Sequence, residues 1–390
     1  MKAIKLTEGI YWVGGIDWDL RNFHGYKTQR GSTYNAYLIV DEKITLIDTV
    51  KHYLYDEMLE RISSVINPAD IDYIISNHVE MDHSGGLPKI MKQAKNATLF
   101  TSPRGEAGLK QHYDYKNWQL EVIKPGVSLD LGRRSLDFIL TPMVHWPDNM
   151  VTYLPEEKLL FSNDAFGQHY ASPERFDDQV PLEIVLEEAK KYYANIVMPY
   201  GSQVQRVLEN IEKMNLEIDI IAPSHGVIWR KNLAKIIELY KRWSSNQVKK
   251  EALIVYDTMW GSTEKIAYAL LDFFAAKGIK ATIKNLKVNH ISDIIPCVLD
   301  AQYICVGSPT LNNNMLPTVA SFLTYLKGLS SGGRKAIAFG SYGWSGQSVG
   351  QIAGMLEEAK FNVIDQIKLQ YVPRKEAIKD IKDRLEEVVN

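Results

Sequence analysis

The sequence predicts an α/β protein built as two lobes, residues 1–246 and 247–390. In the first lobe, short apolar runs are repeatedly followed by loops that carry His, Asp or Glu. In the second, longer apolar runs end in Gly-, Ser- and Asn-rich turns and lead into helical patterns, as in a parallel sheet with crossover helices. Composition sets the outer limits. The chain has 390 residues, 45% hydrophobic and 24% charged, which is ordinary material for two packed cores. A net charge of -2 leaves no basic field for nucleic acid. No run of about 20 apolar residues is present to cross a membrane. The start, MKAIKLTEGI, lacks the apolar stretch of a signal peptide, so the cytoplasm is the expected location. Two cysteines, Cys297 and Cys305, exclude a disulfide framework, so any metal must be held by nitrogen and oxygen.

The first lobe opens with strands at Ile10–Val13, Tyr37–Val40 and Ile44–Ile47, the last two joined by the turn Asp41-Glu42-Lys43. The polar loop 22–33 between them carries His24, Tyr26 and Arg30. Asp48 either ends its strand or supports a ligand from behind, the strand end being the expected role, and a helix is expected over 54–66, stopping before Pro68. The apolar run at Ile71, Tyr73, Ile74 and Ile75 reads as a buried strand. It runs into His78, Glu80, Asp82 and His83 within six residues. Alternate positions 78, 80 and 82 project one way if the backbone stays extended, and His83 can turn to a second ion. Crowded carboxylates repel unless a cation sits between them. Ser84-Gly85-Gly86 then turns the chain into a helix from Leu87. The strand-then-ligand pattern recurs three times: strand 136–140 precedes His145, strand 159–162 precedes Asp164, and strand 218–222 precedes His225. Chemistry is commonly mounted on loops at strand ends. Among weaker candidates, His169 is expected not to ligate, Asp148 is a possible orienting partner for a ligand histidine, and His52, His112 and His290 are expected to be surface or structural. An amphipathic helix with apolar positions Leu233, Ile236, Ile237, Tyr240 and Trp243 closes the lobe.

The second lobe starts with the apolar strand 252–256 and the loop Thr258, Met259, Trp260, Gly261, Ser262, Thr263, followed by a helix over 264–277. Strand, hydroxyl-rich turn and helix N-terminus together form an anion site. Neither a Walker lysine nor a G-x-G-x-x-G run is present, which argues against nucleoside triphosphatases and dinucleotide folds. Strands at 281–285 and 303–306 follow, the latter ending in Ser308, Pro309, Thr310, Leu311, Asn312, Asn313 and Asn314. Strand 335–340 ends in Ser341, Tyr342, Gly343, Trp344, Ser345 and Gly346. A fifth strand near 365–371 and a helix from Lys375 complete the lobe. Three such loops at strand C-termini lie on the ligand edge of an open sheet.

The first set of motifs resembles the metallo-β-lactamase fold, an αββα sandwich with a binuclear site along one edge. Hydrolases of that group read H-x-H-x-D-H, whereas this chain reads H-x-E-x-D-H with Glu80 in the second histidine's place. A hard carboxylate there favours iron over zinc. The second lobe resembles flavodoxin, its first loop holding the phosphate of FMN and the other two flanking the flavin ring. A fusion of the two resembles the flavodiiron proteins, or A-type flavoproteins, over essentially the whole chain. The resemblance implies that His78, Glu80, His145 and bridging Asp164 hold one iron, and that Asp82, His83, His225 and the same Asp164 hold the other; His83 is the position where family members differ. It implies an oxidoreductase that reduces O2 to water, NO to N2O, or both. Read from the residues themselves, Tyr200 and His24 either line the substrate pocket or pack in the core or at its rim. Because the chain stops at Asn390 without an added redox domain, an external donor is expected, rubredoxin being the family's usual one. A head-to-tail homodimer, or a homotetramer built from it, would bring one subunit's FMN to the other's irons. Two alternatives remain: a binuclear zinc hydrolase with a flavodoxin-like accessory lobe, and an electron carrier with a structural metal lobe.

Overall fold

Strand pairing follows chain order through both sheets of the first lobe. In the computed structural model, which describes residues 1–124 and 126–389, the first sheet holds Ile4–Thr7, Ile10–Trp12, Tyr37–Ile39, Thr45–Ile47, Tyr73–Ser76, Thr98–Thr101 and Gln119–Val122, each beside the next. The first four pair antiparallel, and from Thr45–Ile47 onward the pairing is parallel. The second sheet holds Leu129–Asp130, Ser135–Leu140, Met150–Leu154, Leu159–Asn163 and Ile220–Pro223, again in order.

Side-chain alternation explains the layering. Along the strands, Ile10 and Trp12, Tyr37 and Ile39, Ile47 and Ile75 point to one face and join Leu136, Met150, Leu154, Leu159 and Phe161 of the second sheet in one core. The intervening residues Leu38, Leu46, Ile74 and Leu99 point to the other face. There they pack on Met58, Ile62, Leu87, Ile90 and Leu109 from the helices Tyr55–Ser63, Leu87–Gln93 and Pro103–His112. Each such fully buried side chain contributes roughly 1.5–3 kcal/mol relative to exposure. On the second sheet, Val151 and Leu160 face Val204, Leu208 and Tyr240 of the helices Gly201–Lys213 and Leu233–Ser244. The layers are therefore α, β, β and α, as the metallo-β-lactamase resemblance implied.

The second lobe has one parallel sheet in the order Lys280–Asn285, Lys249–Tyr256, Ala301–Gly307, Lys335–Tyr342, Asn362–Gln370. Numbered along the chain this is 2-1-3-4-5, the flavodoxin order, with a crossover helix between successive strands. The strands are near-continuously apolar because both faces are covered; Ile254, Tyr303, Cys305, Ile337 and Phe339 are fully or almost fully buried.

The residues form two compact units. One is Met1–Tyr193 with Ser202–Ser244; the other is Ala194–Gly201 with the chain from Ser245 onward. Sequence alone assigned Ala194–Gly201 to the first lobe. Asn195 accounts for its placement: its Nδ2 donates to the Ser292 carbonyl at 3.0 Å and its Oδ1 accepts from Tyr325 Oη at 2.8 Å.

Several elements went unread in the sequence. The strand Met150–Leu154 is buried throughout, so it shows no alternation. Helix Ile291–Asp300 contains Pro296, which reads as a breaker. The extended backbone expected across positions 78–82 ends at Glu80. Met81–Ser84 is a helical turn, so Asp82 and His83 are presented from a helix rather than a strand.

Candidate metal centre and ligand cleft

Seven side chains converge at the strand ends of the first unit. His78, Glu80, His145 and Asp164 form one group, and Asp82, His83 and His225 form a second; within each group the donor atoms lie within 4.8 Å of one another. Asp164 addresses both. Its Oδ2 faces Nε2 of His145 and His78 at 3.2 and 3.7 Å, and its Oδ1 faces Nε2 of His83 and His225 at 3.1 and 3.3 Å. Glu80 Oε2 lies 3.3 Å from His78 Nε2, and Asp82 meets His83 and His225, each at 3.3 Å.

The surrounding residues aim these donors. Asp148 Oδ2 accepts from His78 Nδ1 and from the Val79 N–H, both at 2.8 Å, which turns His78 Nε2 inward. His225 Nδ1 donates to the Thr33 carbonyl at 2.8 Å, turning its Nε2 inward as well. The loop that carries His225 is clasped from the edge: Pro223 O accepts from Asn35 Nδ2 and Tyr37 Oη. Gly226 has a φ of +77°, and a Cβ there would lie 1.8 Å from Gln168 Oε1, so only glycine fits behind the histidine. From the sequence, Asp48 is either a strand-end residue or a support behind a ligand. It is buried, and its carboxylate accepts from the Asn77 N–H at 2.7 Å and Asn77 Nδ2 at 3.0 Å, which fixes the residue before His78.

The group's charge balance asks for cations. Both oxygens of Asp82, both of Asp164 and both ring nitrogens of His83 are buried without a hydrogen-bond partner. A buried, unpartnered carboxylate is costly unless a positive charge stands beside it. Without an ion, protons take that place. Burial lowers the pKa of His78, but Asp148 and Glu80 outweigh it and raise it well above the usual range. Burial likewise opposes charge on His225, yet Asp164 and Asp82 push it up to about 10. Asp164 stays well below the usual carboxylate range, its burial outweighed by His83, His145 and His225. Four imidazoles and three carboxylates with no thiolate fit two oxygen-tolerant metal ions, and the carboxylate at Glu80 favours iron.

Other sequence candidates sort by position. His24 sits with Gly25 at the tip of a two-residue hairpin, both with positive φ, and its Nε2 lies 3.3 Å from Glu80 Oε1 while 73% of its side chain is exposed. Tyr200 lies in the turn Met198–Tyr200, inside the segment that belongs to the second unit. His169 is in neither donor group. It is buried, shares a 2.8 Å hydrogen bond with Ser32 Oγ, and packs its ring 5.0 Å from that of His225. Sequence reasoning missed Lys51, whose amine lies 4.8 Å from the Tyr34 ring and 4.9 Å from the Phe23 ring. Burial lowers its pKa, against the pull of Asp82, Asp17 and Glu80.

In the second unit the three loops meet around a cleft of about 620 Å³, a size suited to a ring-bearing ligand. Met259, Trp260, Ser262, Pro309, Thr310, Asn312, Asn313 and Ser341–Ser345 line it. Thr258, Gly261, Thr263, Ser308, Leu311, Asn314 and Gly346 do not. Three of them tie the loops together: Thr258 Oγ1 accepts from the Gly261 N–H, Thr263 Oγ1 bonds Ser341 Oγ, and Ser308 Oγ accepts from the Leu316 N–H. Gly261, at φ +82°, starts the helix Ser262–Ala276 without a side-chain cap, leaving N–H groups for an anion. Trp260 and Trp344 stand 92% and 91% exposed, flat surfaces for stacking. Tyr371 and Val372 also line the cleft, from the loop after the fifth strand. That loop lacks the Gly and Asn that marked the other three.

Comparison with known proteins agrees in both lobes. The family described as "ODP family beta lactamase" matches residues 33–226, and the flavodoxin family matches 254–383. A nitric oxide reductase of Moorella thermoacetica is 46% identical over 96% of this chain and 95% of its own. The solved rubredoxin oxygen:oxidoreductase of Desulfovibrio gigas is 40% identical with a TM-score of 0.96, covering 99% of this chain and 98% of that one. The flavodiiron protein of Giardia intestinalis is 35% identical with a TM-score of 0.96, covering 100% of this chain and 96% of that one.

Proposed function

The chain belongs to the flavodiiron family, and from that premise we propose that it is an oxidoreductase reducing a diatomic oxidant, O2 to water, NO to N2O, or both. The observation that carries this is Asp164, one carboxylate oxygen toward each donor group, in a set free of thiolate and carrying Glu80 in place of a third close histidine. His78, Glu80, His145 and Asp164 would hold one iron, and Asp82, His83, His225 and Asp164 the other. Bound there, two irons supply electrons and open coordination positions, and FMN in the 620 Å³ cleft supplies electrons one at a time.

The protein's own groups do the rest. Asp148 and the Thr33 carbonyl keep His78 and His225 in the tautomer that presents Nε2. Both reactions consume protons: O2 takes four electrons and four protons to give two waters, and two NO take two electrons and two protons to give N2O and water. His24 is placed to pass protons from solvent at its Nε2, beside Glu80. The electrons come from an external redox protein; rubredoxin is the donor we expect, given the name of the D. gigas relative. A head-to-tail dimer in the cytoplasm completes the proposal. No helix among the described residues is long and apolar enough to cross a membrane.

The test is metal analysis of protein expressed with ample iron and purified without oxygen. Two irons and one FMN per chain, with O2 or NO consumed when reduced donor is supplied, is the expected result. Two zincs that iron cannot replace would point to hydrolysis instead. A monomer by sedimentation that turns over at full rate would refute the dimer.

A further inference from the structure

Behind two of the ligand loops lies a narrow apolar space. Its volume is about 20 Å³, and its mostly apolar wall includes Val144, Val151, Leu160, Phe166, Val204 and Leu208. Of the three hydroxyl-bearing side chains on its wall, Thr141, Ser162 and Tyr240, the last two are engaged elsewhere. Ser162 Oγ donates to the Ala165 carbonyl at 2.7 Å, and Tyr240 Oη accepts from the Phe166 N–H at 2.7 Å. About 10–15 Å³ suffices for one water, but a water also needs polar partners, and apolar cavities that lack them stay dry. A single uncharged diatomic molecule meets the same size limit without needing the partners.

The position of the space is the second observation. Val144 directly precedes His145, and Ala165 and Phe166, which also line the space, directly follow Asp164. On its outer side, Leu160, Phe166, Leu208 and Ile211 are shared with a larger groove of about 450 Å³. That groove reaches solvent between the helices Gly201–Lys213 and Leu233–Ser244, where Lys241 pairs with Glu212 at the surface.

We propose that the groove and the narrow space form an apolar entry path and waiting site for the diatomic substrate, opening behind His145 and Asp164. The assignment of the occupant rests on the reading of the metal centre given above. It divides traffic by polarity: the uncharged gas arrives through the second sheet's helical layer, while protons arrive on the wet side, where His24 meets Glu80.

Crystals of the full chain pressurised with xenon provide the first test. Xenon is expected between Val144, Val204 and Leu208, and its absence overturns the proposal. Val204→Phe fills the space. The expected result is loss of the xenon site and a fall of about tenfold in kcat/KM for O2 and NO, near the low end of the span over which association rates vary among variants of one site. Iron content, FMN content and the rate of flavin photoreduction should match the wild type. If Val204→Phe fails to fold, Val204→Ile, one methylene larger, gives a smaller loss of the same kind. Unchanged kcat/KM in a variant that has lost xenon overturns the entry path. Xenon binding is read without turnover, so a wild-type protein that binds xenon but consumes neither gas overturns the reading of the metal centre and, with it, the assigned occupant.

Discussion

The metal centre and the flavin cleft are built on opposite principles. The first is a buried cluster whose donors are pinned from behind: His78 by Asp148, His225 by Thr33, and the chain before His78 by Asp48. The second is an open cleft whose broadest surfaces, Trp260 and Trp344, lie almost bare to solvent. The difference follows from what each must hold. Metal ions need several donors fixed within a few tenths of an ångström and a low-dielectric shell. A flavin needs one anion cradle and flat apolar faces, which loops can supply. A single lost side chain should therefore be severe in the cluster and graded in the cleft.

The strongest attempt to break that contrast is Asp164→Ala. It removes the one side chain that serves both groups, so both irons and all gas consumption should disappear while FMN stays bound; retention of one iron, read by metal analysis, would show the groups to be independent. Asp148→Asn keeps the volume but withdraws the charge behind His78. A loss of roughly 10- to 100-fold in iron affinity or turnover is expected, as for other outer partners of metal histidines. Equal iron affinity in a competition with a chelator would reduce Asp148 to a turn residue.

Metal loading sharpens the electrostatic side of the comparison. His78 and His225 have raised pKa values in the ion-free protein, so both carry protons at neutral pH. Ligating imidazoles must be neutral, so loading releases protons, and apparent affinity rises with pH until it passes about 10, where His225 has already lost its proton. An indicator dye in weak buffer, followed during anaerobic addition of Fe(II), reads the release; no release contradicts the charge assignment. The smallest effect belongs to the cleft. Gly261→Ala meets no atom within 4 Å but must hold a left-handed backbone. A cost of roughly 1–2 kcal/mol, or about 5- to 30-fold in FMN affinity, follows where the free loop of the variant relaxes out of that conformation and FMN binding restores it. Fluorescence titration of apoprotein with FMN measures it.

The same contrast explains what the sequence discloses. The ligand positions were legible because His and Asp at strand ends are chemically conspicuous, and His78, Glu80, Asp82, His83, His145, Asp164 and His225 are all drawn into one cluster. Their supports were less so. Asp48 and Thr33 look like ordinary strand-end and loop residues, and only the fold brings Thr33 to His225, 192 positions away. Lys51 gives no local signal, because its aromatic neighbours Phe23 and Tyr34 come from other strands. In the second lobe, the order of the sheet and three of the four cleft loops follow from apolar runs and turn residues. The fourth, at Tyr371 and Val372, carries its function in an aromatic and a valine, residue types that elsewhere simply fill cores.

The serial strand order has a consequence for biosynthesis. Neighbours in the second sheet are also neighbours in sequence until the last pairing, where Leu159–Asn163 aligns with Ile220–Pro223 across the intervening helices. That pairing closes a long loop and is the costliest contact in the sheet to form. Once Asp164 has left the ribosome six of the seven donors are out, but the final imidazole emerges only with His225 and is seated only when this last strand docks. Until then the nascent chain holds three carboxylates and three histidines without their closing partner, an open half-cage with affinity for any passing cation. Correct metallation is thereby a matter of timing, set by how quickly the final strand follows the rest.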